Sequence, residues 1–238
     1  LYVDTVTTTT IAGSSFTDNL ATVSGTARGG AIRTQHGALD ISDTSFTNNR
    51  AEATGAGGSA YGGALYGRDA AITIDAVGFD GSTVLASYSG ATGSRAGGGA
   101  ISLQGGSLEL TNATIENGTV TAYSYASGGG IVAIDGAAAT ILFSEIRDNT
   151  VGATTTRSHG GAIAVDTAGE VTVASSTLEG NTVTSGATFA TGGAVSVIGS
   201  LSGSTLVNTT LYGNTAETGG GLYLQSGSAN ASLTHSTV

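Results

Sequence analysis

The stretch that decides the fold runs from Gly160 to Asn181. It reads Gly160-Gly161-Ala162-Ile163-Ala164-Val165-Asp166, then Val171-Thr172-Val173, then Leu178-Glu179-Gly180-Asn181. A glycine pair opens it, aliphatic residues alternate two apart through it, and an aliphatic-x-x-Asn closes it. Spacing of two is strand periodicity, and so much Gly and Thr would weaken a helix. The same pattern recurs along the chain. Glycine pairs begin at Gly29, Gly62, Gly98, Gly129, Gly160, Gly192 and Gly219. Each is followed by a landmark: Phe46, Phe79, Ile115, Ile146, Leu178, Leu211 and Val238. From pair to landmark takes 17 to 19 residues, whereas the return to the next pair takes 8 to 19. A repeat of about 32 residues is therefore held nearly constant in one part and free in another.

The repeat aligns columns. Five residues before each landmark stand Ile11, Ile41, Ile74, Leu110, Ile141, Val173, Leu206 and Leu233, all aliphatic. After each glycine pair come Ile32, Leu65, Ile101, Val132, Ile163, Val195 and Leu222. A five-residue strand cannot bury itself alone, but stacking each repeat on the last turns every column into an internal ladder. The expected fold is all-β: a right-handed parallel β-helix of about eight coils. Each coil has three short strands and one variable loop. Asn19, Asn49, Asn149, Asn181 and Asn214 fall three residues after the landmark, where their amides can form a structural ladder. The glycines suit positive φ or close approach. A phosphate cradle would need a following helix, and none is expected.

Composition narrows the class. The 238 residues hold 40 Gly and no Cys, Pro, Met or Trp, with a net charge of −10. Disulfides and thiolate metal sites are thereby excluded, and an acidic surface argues against nucleic acid as a partner. No apolar run reaches the ~18 residues of a membrane span. Leu1-Tyr2-Val3-Asp4 aligns with Leu222-Tyr223-Leu224-Gln225. The chain thus reads as one repeat domain, 1–238, belonging to a longer array and stacking end to end on further repeats or other copies.

Phe16-Thr17-Asp18-Asn19 and Phe46-Thr47-Asn48-Asn49, with the Gly-Gly-Ala-aliphatic motif, resemble the repeats of chlamydial polymorphic outer membrane proteins and related extracellular β-helix proteins. Leu178-Glu179-Gly180-Asn181 and its like carry an aliphatic residue in place of Phe. The resemblance implies a secreted or surface-displayed shaft with structural or adhesive duties. Host or matrix glycans and proteins are the implied partners.

Function is expected in the variable segments, because a rigid coil lets one turn grow outward; Val120, Val151 and Val183 share a register there, which allows these loops short strands of their own that pair with one another. Tyr88, Tyr123, Tyr125 and Phe189 could line one exposed ridge there, as a sugar-binding or assembly surface; packing onto the coil is the plainer reading. A polar column runs Asp4, Gln35, Arg68, Gln104, Asp135, Asp166, Ile198 and Gln225. Asp135 and Asp166 would lie about 5 Å apart on adjacent coils, the carboxylate pair a glycoside hydrolase or lyase would use. No flanking cations are seen to converge on them. A cation there would want more oxygens than two carboxylates supply, so neither metal nor cofactor is expected. His36, His159 and His235 read as exposed singles. Thr10, Thr73, Thr140, Thr172 and Thr205 form an outward column that β-propensity explains without ice binding. Sequons at Asn112, Asn117, Asn208 and Asn230 suit a secreted glycoprotein, with Asn112 and Asn208 in a register that faces outward.

Three functions remain open on the sequence: a non-enzymatic extracellular scaffold of an adhesin, fibre or appendage, a carbohydrate-active enzyme using Asp135 and Asp166, and a glycan-binding module using the loop aromatics.

Overall fold

A computed structural model describes residues 1–4, 8–86, 93–167, 169–186, 189–199, 204–225 and 231–238. Tyr88 and Asn230 lie outside the described residues. One turn shows the plan: Ile131–Ile134, Ala138–Leu142, Glu145–Arg147, Thr150–Ala153 and Arg157–His159 are successive strands. Each pairs in parallel with its counterpart in the coils before and after. Five sheets run along the coil axis, numbered here one to five from the glycine pair. Among the described residues, sheets one and two hold eight rungs, sheet three seven, and sheets four and five six. About six turns carry all five strands, fewer than the eight expected.

The column Ile74, Leu110, Ile141 and Val173 is in register across four coils, and all four side chains are buried. Sheets one, two and three enclose this main core. Phe16, Phe46 and Phe79 stack within it at 4.9 and 4.7 Å, and aliphatic landmarks continue the column.

Five strands per coil, not three, is the main correction. Sheets four and five occupy the segment expected to be a single variable loop. They enclose a second, narrower core of Val84, Val120, Val151 and Val183 against Ala27, Ala60, Ala96, Ala126 and Ala190. Alanine leaves room for two sheets to approach closely, and its short side chain gives little hydrophobic signal. Length variation is largest at the tip between these sheets, from Val23 to Thr26 at the shortest to Ala86 to Arg95 at the longest, and smaller between sheets one and two.

A second correction concerns one register. Residues Gly128, Gly129 and Gly130 allow two readings of the pair. Gly128 carries positive φ like Gly98 and Gly160, and Gly130 takes the slot that Ala100 and Ala162 fill. The pair is therefore Gly128-Gly129, and Ile131 rather than Val132 faces the core beside Ile101 and Ile163.

The asparagine ladder is continuous over Asn149, Asn181 and Asn214, each Nδ2 donating to the next Oδ1 at 2.9 Å. Asn19 and Asn49 form a separate pair at 2.8 Å. Ser82 and Gly118 interrupt the column, although the Gly118 amide still donates to Asn149 Oδ1. A buried amide with all its donors satisfied stabilises, and a half-satisfied one does not.

Candidate binding furrow

The glycine pair turns the chain so that the outer faces of sheets five and one converge on each other. Three consecutive features follow in the sequence: an outward residue three before the first glycine, another one before it, and the outward residues of sheet one after it. Three before stand Thr26, Ser59, Arg95, Tyr125, Arg157 and Phe189, in register on successive coils. One before stand Arg28, Tyr61, Gly97, Ser127, His159 and Thr191. Sheet one supplies the opposite wall: Gln104, Ile134, Asp166, Ile198 and Gln225. Together they form a furrow along the coil axis. Its first part is a polar cavity of about 260 Å³ between Arg28, Tyr61, Tyr66, Arg95, Gln104, Asp135 and Asp166. Its far part is more apolar, between Phe189, Ile198 and Tyr223.

Planar groups stack in this wall. Tyr125 lies between Arg95 on the coil before and Arg157 on the coil after, each guanidinium 5.6 Å from the ring centroid. Arg28 lies 5.4 Å over Tyr66. Such contacts stabilise and also fix the guanidinium plane. The Tyr125 hydroxyl donates to Asp166 Oδ2 at 3.1 Å. Burial, then the Asp166 charge, raises the Tyr125 pKa, so the hydroxyl stays protonated. Tyr66 donates to Gln104 Oε1 at 2.6 Å, and Gln104 Nε2 donates to Asp135 Oδ2 at 2.8 Å.

The expected sites divide. Tyr125 and Phe189 share one column with Arg157 between them, and Phe189 is 60% exposed. Both faces of the Tyr125 ring are taken by arginine, so it positions rather than stacks on a ligand. Tyr123 sits in the turn between sheets four and five, outside the furrow. Asp135 and Asp166 both line the cavity but do not share a column: Ile134 occupies the slot assigned to Asp135. Asp135 is one residue further, at φ +56 in the turn, where Asp is tolerated. The misread glycine pair caused this slip. Among the described residues no third His, Asp or Glu joins the two to make a metal-binding group.

Cations do converge on these carboxylates, contrary to expectation: Arg28 and Arg95 line the same cavity as Asp135 and Asp166. The signal was present, since Arg95, Tyr125 and Arg157 all stand three residues before the first glycine, once Gly128 is taken as that glycine. Asn112, Asn117 and Asn208 are exposed at positive φ. Each donates its Nδ2 to a neighbouring coil, to Asp75, Asp80 and Ser175 respectively. Turn geometry therefore accounts for asparagine at these sequons.

His159 is not exposed. It is fully buried in the furrow floor, edge-on to the Tyr125 ring at 4.9 Å, and among the described residues neither ring nitrogen has a hydrogen-bond partner. His36 and His235 are exposed as expected, His36 beside Asp4 at 3.3 Å. Burial lowers the His159 pKa to about 4, with Asp166 opposing and Arg157 assisting. A group depressed below its unfolded value of about 6.5 stabilises the fold only in its neutral form. That contribution is complete above about pH 6.5 and is lost as the pH falls toward 4, at about 1.4 kcal/mol per unit. His159→Thr, which copies Thr191 one coil on, is expected to remove about 2–3 kcal/mol of the destabilisation between pH 7 and 4.5. Denaturant melts of both proteins at the two pH values measure it. Parallel acid profiles would contradict a buried neutral imidazole.

A family model described as right handed beta helix region matches residues 75–238. No curated protein and no solved structure matches the chain.

Proposed function

The chain belongs to the right-handed β-helix family, and from that premise we propose that it serves outside the cell as a non-enzymatic adhesive scaffold holding an extended glycan in the furrow. One observation carries this reading: on four successive coils the furrow wall is Arg95, Tyr125, Arg157 and Phe189, a rigid stack open along the axis. Stacked coils give such a surface its rigidity, so little is lost in ordering it on binding. The repeat likeness to chlamydial polymorphic outer membrane proteins points the same way, toward a surface-displayed shaft. The test is an array of linear glycans probed with the wild type and Phe189→Ala. Retention of at least one glycan is expected, weakened about tenfold by the loss of the exposed ring. An array without a single retained glycan would overturn the reading.

A catalytic reading has one observation in its favour, the presence of Asp135 and Asp166 in one cavity. Each carboxylate is already engaged, one by Gln104 and the other by Tyr125. If it held, polysaccharides incubated with the protein would shorten, and Asp166→Asn would stop the shortening. Unchanged chain lengths remove it.

A further inference from the structure

Seven arginines face 17 acidic residues in this chain, so carboxylate partners are plentiful. Arg50 pairs with Glu52, Arg68 with Asp69, and Arg147 with Glu116, Glu145 and Asp148. Arg33 bonds Gln35. The remaining three, Arg28, Arg95 and Arg157, make no ion pair among the described residues, and all three line the furrow. Each is held by a tyrosine ring instead. The acids meanwhile crowd the outer faces of sheets two and three, as at Glu109, Glu116, Glu145, Glu170 and Glu179. The groove thus holds three guanidinium groups, none in a direct ion pair, beside only two carboxylates, Asp135 and Asp166, on an otherwise acidic rod. A ring holds a guanidinium plane without neutralising it, which leaves its N–H fork free for carboxylate.

We propose that the furrow selects a linear polysaccharide carrying carboxylates, with Arg95 and Arg157 reading the charges. This rests on the glycan reading above and names its ligand class. Arg95 and Arg157 are two coils apart, about 10 Å by strand spacing, so the charges must recur along an extended chain. The opposite wall presents Gln104, Asp135 and Asp166, acceptors that a small or fully anionic ligand would not satisfy but sugar hydroxyls do. A peptide fits less well. The furrow crosses the strands, whose N–H and C=O groups are spent on coil-to-coil ladders, so it offers no strand edge to extend.

The experiment measures binding of alginate, hyaluronan and polygalacturonate, each against its carboxyl ester, with poly-glutamate as the peptide probe. Arg95→Gln/Arg157→Gln is compared with wild type, and Arg50→Gln, outside the furrow, serves as control. At least one acid form is expected to bind tenfold or more tighter than its ester and to weaken several-fold with added salt. The double variant should lose that tenfold while its affinity for the ester holds within twofold, and Arg50→Gln should match wild type. Arg95→Lys/Arg157→Lys should recover part of the loss, because charge returns without the planar fork. Equal binding of acid and ester overturns the inference but leaves the glycan reading standing. Poly-glutamate bound as tightly as the best polysaccharide also overturns it. Failure of every acid and every ester removes the inference and counts against the glycan reading itself.

Discussion

Gly161→Ala is expected to destabilise the protein by about 3 kcal/mol or more, while Gly78→Ala leaves it unchanged or up to about 1 kcal/mol more stable. Both replace a glycine by one methyl group in the same solenoid. A Cβ on Gly161 would sit 2.1 Å from the carbonyl oxygen of Gly193 on the next coil and 3.1 Å from the Thr182 nitrogen. Both are backbone atoms, and coil-to-coil hydrogen bonds hold the chain on either side of the contact: the Gly161 amide donates to Gly192 and the Thr182 amide to Asn149. Relief therefore requires the coils to separate, which breaks ladders on either side. At Gly78, an exposed strand position, a Cβ meets nothing within 4 Å and φ is not positive. There alanine only reduces the freedom of the unfolded chain. Denaturant melts of the two variants beside wild type measure the contrast, and equal effects would refute the close-packed glycine column. The second glycine of the pair is thus explained by contact with the next coil, and the first, as at Gly160, by φ of +67.

Ile141→Asp is expected to cost at least about 5 kcal/mol, enough to melt the central coils at room temperature. Ile141 is fully buried between Leu110 and Val173 in the ladder of sheet two. Removing a buried aliphatic side chain costs about 2–5 kcal/mol, and an unpaired carboxylate adds its desolvation. Neighbouring coils are aliphatic at the same register, so no cation can reach it. Thr140→Asp, one residue away and pointing outward, is expected to cost less than about 1 kcal/mol, chiefly through Glu109 on the preceding coil. Loss of far-ultraviolet strand signal on warming distinguishes the two. Comparable melts would mean that inward and outward faces of this strand are exchanged.

Much of the candidate site was hidden in the sequence although its residues were not. The carboxylates at 135 and 166 stood out as acids near strand ends, and Tyr125 and Phe189 as aromatics in long segments. What could not be seen was that the residues before each glycine pair and those after it face one another. Arg95 and Gln104 are nine residues apart, on different strands, and only the angle at the glycines brings them into one cavity. His159 misled for a related reason. An outward-alternating position normally reaches solvent, but an outward position at a concave corner is covered by the neighbouring sheet.

Periodicity by itself determined that this chain winds into stacked parallel strands and which aliphatic residues share a ladder, because a fixed repeat leaves stacking as the only way to bury such short segments. It also determined the asparagine column and every glycine slot but the one in the fourth repeat, since the ladder repeats them coil after coil. Only the tertiary structure decided that five sheets close each turn, that Gly128 rather than Gly129 opens the fourth repeat, and that three arginines meet two aspartates in a furrow. Those outcomes depend on angles between sheets and on which of several glycines has room for no side chain. Both are set by contacts between coils, about which the order of residues along one coil says nothing.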